Sequence, residues 1–234
     1  MLLVTIDPMK KIKTIIRRVL YSDCLFGICE FISYMLNRNR IKRLGEAKEL
    51  QLHIGSGSKI LNGWINIDGS LNLSILTMRM PEGLKKFTDE SVCAIYASHF
   101  LEHIIYPEEA VFFAKECYRV LVSGGVLRIV VPDIERIINA YVENDSAFFD
   151  IQATMHPKNC TTKLEHLMYA LQQHGEHEYG YDFETMQKLL FKAGFKEILR
   201  SDYKKSNFPC FCVDYRAESD NKGRNLSLYV DAIK

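Results

Sequence analysis

The sequence is short of long apolar runs, of paired cysteines and of net charge, and each shortage removes a class of protein. The longest apolar stretch, Val19 to Leu36, is interrupted by Asp23 and Glu30, and carboxylates at a bilayer centre are costly enough to disqualify it as a membrane span. The seven cysteines are an odd number without C-x-x-C pairing, so neither a disulfide framework nor a zinc ribbon is indicated. The first residues, MLLVTIDPMKK, place the apolar part before the basic part, the reverse of a secretory leader. Reduced thiols in a cytoplasmic protein are therefore expected. Lys and Arg number 30 against 29 Asp and Glu, and a chain this balanced is no general nucleic-acid binder. Internal repeats are also missing, which excludes solenoids.

What remains is 234 residues, 47% of them apolar, enough for one compact domain, with or without an appendage, and a sizeable core. Residues 1–44 hold nine basic residues against three acidic ones, and apolar positions such as Ile12, Ile15, Ile16 and Leu20, then Ile28, Phe31, Ile32 and Met35, recur at helical spacing. Residues 1–48 are thus expected to be a basic helical extension. From residue 49 to 234, apolar runs at Leu50–Ile54, Trp64–Ile67, Leu73–Leu76, Val92–Ala97 and Val126–Val131 alternate with turns or helical stretches. Continuous β-branched runs suit strands buried on both faces, and their alternation with helices predicts a doubly wound α/β sheet. A helix is expected from Pro107 to Leu121, stopping at Ser123-Gly124-Gly125, and another from a cap at Asp182 to Gly194. Phe195–Leu199 and Leu226–Ile233 read as closing strands, and residues 145–180 as an insert or lid.

The most informative stretch is Leu52-His53-Ile54-Gly55-Ser56-Gly57, an apolar strand ending in Gly-x-Gly, where the backbone can turn sharply and a ligand can approach closely. The next run, Gly63-Trp64-Ile65-Asn66-Ile67-Asp68, closes on a carboxylate able to accept two hydrogen bonds from a ribose diol. A dinucleotide fold wants a third glycine where Ile60 stands and an acid about 20 residues on; Asp68 comes too early, so a pyrophosphate ligand is disfavoured.

These segments resemble the class I S-adenosylmethionine-dependent methyltransferases, in particular the type 11-like group whose second strand reads GWxNxD and which is often linked to surface-polysaccharide genes. The resemblance rests on the two segments above, with Ala97-Ser98-His99-Phe100-Leu101-Glu102-His103, Tyr118 through Val126 and on to Val131-Pro132-Asp133, Tyr181-Asp182 through Phe195, and Ser227-Leu228-Tyr229-Val230. It implies a Rossmann-like seven-stranded sheet with its last strand antiparallel and S-adenosylmethionine as cofactor. By the same resemblance Gly55, Ser56 and Gly57 line the methionine part of the cofactor, Asp68 holds the ribose, and Ser98 and His99 border the methyl group. Three positions depart from the pattern: His53 stands in place of an acid, only residues 58–64 separate Gly57 from Ile65, and Leu76 to Met80 offers no acid for the adenine.

The function this implies is methyl transfer to a small-molecule or saccharide acceptor, with oxygen the expected target. His103 and His177 are the candidates for base or acceptor-positioning roles, since an imidazole titrates near neutral pH, and His156, His166 and His174 sit in the insert. The basic start could rest on an anionic membrane surface, which suits a lipid-linked glycan acceptor, or simply cap the sheet. Two other readings stay open. The departures fit a methyltransferase-like binding or scaffold protein without catalysis. His99-Phe100-Leu101-Glu102-His103 also matches the H-x-x-E-H signature of zinc hydrolases, but the motif follows a strand and has no room for the helix that chemistry needs, so no metal is assigned. Cys210-Phe211-Cys212 reads as ordinary thiols.

Overall fold

In a computed structural model the described residues are 27–28, 30–37, 39, 49–70, 74–206, 208, 211, 214–215 and 226–234. They form a seven-stranded sheet with strand order β3-β2-β1-β4-β5-β7-β6. The strands are β1 (Leu50–Ile54), β2 (Ile65–Asp68), β3 (Leu76–Thr77), β4 (Val92–Ser98), β5 (Leu121–Pro132), β6 (Glu197–Ser201) and β7 (Ser227–Ile233). All pairings are parallel except those of β7 with β5 and β6. The helices are α1 (Glu108–Val120), α2 (Ile134–Val142), α3 (Ser146–Met155), α4 (Lys163–Gln172) and α5 (Phe183–Ala193).

The parallel strands are buried on both faces, as their unbroken apolar runs require. One face packs Leu52, Ile54, Ile95 and Ala97 against α1 and α5, through Phe113, Cys117, Leu189 and Leu190 among others. The other carries an aromatic cluster of Trp64, Tyr96, Phe211 and Tyr229. Alternation along the strand divides β4 between them: Ile95 and Ala97 face the helices, whereas Tyr96 faces the aromatic side.

Several expectations shift in detail. Helix α1 ends at Val120, and Leu121 already pairs with Val92. The glycines at 124 and 125 therefore sit in a bulge of β5 and do not cap a helix; Gly124 has φ +76°. Strand β3 is two residues long, Leu76–Thr77. No helix intervenes between Gly57 and Ile65, as the short spacing demands. Asp182 caps α5 by accepting from Thr185 N at 2.8 Å, and Gly194 closes it with φ +113°.

The basic stretch from Lys10 to Arg18 and the Cys210–Cys212 pair lie outside the described residues. Residues 30–37 are helical, but their contact with the sheet is polar: Ser33 Oγ accepts from Thr77 N at 3.2 Å, and Glu30 pairs with Lys86 at 3.1 Å. Ile28, Phe31, Ile32 and Met35 are exposed, contrary to a packing stripe, because the small Ser33 side is what meets strand β3. No described helix is long and apolar enough to cross a membrane.

Candidate active site

The strand order reverses direction between β1 and β4, and in open α/β sheets ligands bind outside the carboxyl ends of the strands at such a switch point. Two cavities open there. The first, of about 340 Å³, is lined by Gly55, Asp68, Met78, Met80, Phe100 and His103 among others. The second, of about 310 Å³, lies between the sheet edge and the insert and includes His99, Asp133, Gln152, His156, Tyr169 and His177. Both volumes sit at the lower end of small-ligand pockets. The loop 99–103 separates them.

Local sequence builds the first cavity. Gly55 and Gly57 have φ +67° and +50°, a left-handed turn that glycine adopts without penalty. The reason for glycine differs between the two. A Cβ on Gly55 would lie 2.8 Å from Cβ of Phe100, so this glycine admits that neighbouring side chain; a Cβ on Gly57 would meet nothing within 4 Å. Asp68 Oδ2 accepts from Gly57 N at 2.8 Å and Oδ1 accepts from Ser70 N at 2.8 Å. Each carboxylate oxygen keeps a free lone pair. Ser56 is buried, and its hydroxyl has no hydrogen-bond partner.

His53 is absent from this cavity. It is fully buried, 3.0 Å from Asn66 Oδ1 through Nδ1, and stacked on Tyr96 at 5.3 Å. Burial lowers its pKa, against the smaller raising effects of Asn66 and Asp68, so it is a neutral core histidine. Ser98 is also buried and lines neither cavity, because it follows Tyr96 by two positions and shares its aromatic face. The position expected to offer an adenine-contacting acid instead supplies Met78, Arg79 and Met80 to the cavity wall.

His99 belongs to the second cavity. Its backbone is strained, with φ +53°, and its ring bridges two groups: Nδ1 lies 3.0 Å from Glu102 Oε1 and Nε2 lies 3.3 Å from Ser227 Oγ. Glu102, 1% exposed, is held in the single turn Leu101–His103. Burial raises its pKa, but the His99 contact and the charges of His99 and His103 outweigh this and the net shift is downward, so Glu102 is ionised. Its Oε2 has no hydrogen-bond partner.

His103 and His177, far apart in sequence, meet with ring centroids 4.9 Å apart. Nδ1 of His103 donates to the Glu176 carbonyl at 2.8 Å, and Nδ1 of His177 donates to the Ala170 carbonyl at 2.9 Å. A carbonyl accepts only, so these bonds select the tautomer and leave Nε2 of each ring as an acceptor. Burial lowers the pKa of His177, more than the Ala170 bond and Glu102 raise it. His103 lines the first cavity and His177 the second.

In the insert, His156 and His166 are 3.0 Å apart at Nδ1, and burial followed by its neighbour lowers His156 to about 4. His174 sits in the turn after α4 with φ +60° and packs edge-on against Tyr169. The H-x-x-E-H hydrolase reading fails on geometry: the motif occupies a strand end and one 3₁₀ turn, so His99 and His103 do not share a helix face. Phe100 as the partner of Gly55, and Gln152 and Tyr169 as cavity walls, escaped sequence reasoning. Only the phenylalanine had a local signal, its place directly after the strand.

Residues 67–129 match the family model described as a methyltransferase domain. The match runs from the end of β2 through most of β5 and takes in the loop between the cavities. No curated protein matches the chain. Among solved structures the chain is similar to an S-adenosylmethionine-dependent methyltransferase from Archaeoglobus fulgidus, at 16% identity over 88% of this chain and 94% of that one, with TM-score 0.48. A possible histamine N-methyltransferase from Thermotoga maritima aligns at 14% identity over 88% and 98%, with TM-score 0.43. Phosphoethanolamine N-methyltransferase 2 of Haemonchus contortus, in complex with S-adenosylmethionine, aligns at 13% over 93% and 58%, with TM-score 0.41. The matched segment thus carries a methyltransferase-domain signature along the edge of the sheet where both cavities open.

Proposed function

We propose that the protein transfers the methyl group of S-adenosylmethionine to a hydroxyl of a small-molecule or saccharide acceptor. The observation that carries the reading is the pair of cavities on either side of loop 99–103, one with the glycine turn and Asp68, the other with histidines. Cofactor chemistry fits the first. The free lone pairs of Asp68 suit a diol, Met78, Met80 and Phe100 offer apolar wall to a flat ring, and the backbone turn at Gly55 closes the cavity beside them.

Bound there, the cofactor supplies a methyl already activated by its positive sulfur. The chain's own task is then mainly to hold the acceptor in line, and alignment of this kind is worth up to roughly 7–11 kcal/mol. The second cavity does the holding. A hydroxyl presented at the loop meets the Nε2 atoms of His103 and His177, both kept as acceptors by their backbone bonds. Positioned proton acceptance contributes about 10²–10⁴-fold. The membrane-facing role of the basic extension and a place among glycan-modifying enzymes belong to the same proposal.

Calorimetry with S-adenosylhomocysteine tests the donor half, with saturable one-site binding expected. Incubation with labelled S-adenosylmethionine and a panel of saccharides and small alcohols tests the acceptor half. Absence of binding at high micromolar ligand would instead support a scaffold without catalysis.

A further inference from the structure

We infer that Glu102, His103 and His177 form a binding site for one divalent transition-metal ion, of the Zn²⁺ type, at the junction of the two cavities. One potential ligand atom from each of the three lies within 4.8 Å of the others. Two features mark these three side chains as prepared for an ion and not merely close. First, each imidazole donates its Nδ1 proton to a backbone carbonyl, Glu176 at 2.8 Å and Ala170 at 2.9 Å. Metal-binding histidines are oriented in this way, with the opposite nitrogen presented to the ion. Second, Glu102 is 1% exposed and its Oε2 makes no hydrogen bond. A buried, unsatisfied carboxylate oxygen is expensive, and a bound cation removes that cost.

His99 completes the arrangement from outside. Its Nδ1, 3.0 Å from Glu102 Oε1, fixes the carboxylate, and Ser227 fixes His99 in turn at 3.3 Å. The site therefore differs from an H-x-x-E-H hydrolase centre, in which both histidines of the motif bind metal and the glutamate does not. Here the second histidine of the motif and its glutamate are ligands, and the third ligand comes from His177, 74 residues after His103. Two imidazoles and one carboxylate favour borderline transition ions over Mg²⁺ or Ca²⁺, and three protein ligands leave a position open for a further oxygen.

The role of the ion deepens the methyl-transfer reading and rests on it; its existence does not. With the ion in place the imidazole lone pairs hold metal and no longer accept the proton. An acceptor hydroxyl in the open position is acidified, as metal-bound water is, and loses its proton to solvent. Because His103 faces the donor cavity and His177 the acceptor cavity, the ion would fix that oxygen between them.

Chelator-stripped full-length protein titrated with Co²⁺ provides the test. The expected result is one equivalent bound, with visible d–d absorption and no thiolate charge-transfer band, and displacement by Zn²⁺. His177→Ala and His103→Ala should each weaken binding by about 10–100-fold or more, while their unfolding midpoints in metal-free buffer stay close to the parent. No saturable binding, equal affinity in the parent and both folded variants, or a thiolate band would overturn the site. If a variant fails to fold, the parent's stoichiometry and spectrum decide. S-adenosylhomocysteine titration of the same metal-free protein separates the two claims. Cofactor binding without metal binding removes only the ion, and metal binding without cofactor binding removes only the methyl-transfer role.

Discussion

The cavity beside β1 and the cavity beneath the insert share the wall at residues 99–103, yet they are assembled in opposite ways. The first draws on Gly55 and three short stretches, 68–69, 78–80 and 100–103, each at the carboxyl end of a strand. The sheet alone brings these ends together, so the cavity follows once the strands are in register. The second gathers residues from the loop after β4, the end of β5, α2, α3, α4, the turn after α4 and the start of β7. It exists only when the insert helices have packed through Phe148, Phe149 and Ile137. The difference teaches that a cavity at strand ends can be carried by local turn chemistry, whereas one beneath an insert depends on long-range packing and is freer to vary.

The comparison breaks entirely if the sheet beneath both cavities is loosened. Arg128, fully buried on β5, donates to Asp214 at 2.6 and 3.0 Å and to Asp231 at 2.6 Å. Burial opposes its charge, and the two aspartates more than restore it. Arg128→Met leaves both carboxylates buried without a cation, and a loss of about 3–5 kcal/mol is expected in denaturant unfolding. A loss below about 1 kcal/mol would show that the aspartates find another partner.

Gly55→Val acts on the first cavity through its neighbour. The branched side chain collides with Phe100 in a left-handed turn, so overpacking of about 1–3 kcal/mol is expected, together with loss of S-adenosylhomocysteine binding. Unfolding midpoints and calorimetry on one preparation check both, and a variant that is stable and binds normally would contradict the role of Phe100. Asp68→Ala is a finer probe. It removes the acceptor for Gly57 N and the diol partner, and cofactor affinity should fall by about 1–3 kcal/mol while the insert histidines keep their chemical shifts.

The gentlest probe is pH, read in the second cavity through His156. His156 is lowered to about 4 in the folded protein, chiefly by burial, against 6.5 for a free histidine. The unfolded segment therefore binds a proton that the folded insert refuses, and stability is lost as pH falls from about 6.5 towards 4. Amides of residues 146–172 should exchange faster at pH 5 than at pH 7 after correction for intrinsic rates, and His156→Gln should shrink that difference. Equal protection at both pH values would place His156 in a more solvated setting.

How much of this was legible beforehand varies with range. The β1 bounds, the Asp182 cap and the absent first helix came directly from short-range signals. The close approach at Gly55 is that of Phe100 from another strand end, a neighbour the local sequence does not name. Ser98 and His99 adjoin in sequence, and alternation alone cannot say that one turns to the aromatic face and the other, through a positive φ, to the insert cavity. Arg128 reads as an interruption of the β5 apolar run; only its partners 73 to 103 residues away explain it.

Sequence by itself determined the strand-and-turn grammar of residues 50–68, the alternation of strands with helices and the family likeness. These depend on hydrophobic period, glycine conformations and capping groups, all local properties. Tertiary structure decided which histidines meet, which carboxylate oxygen is buried without a hydrogen bond and where the second cavity opens. Those depend on groups brought together across many tens of residues, where no local preference acts and packing alone sets the distance.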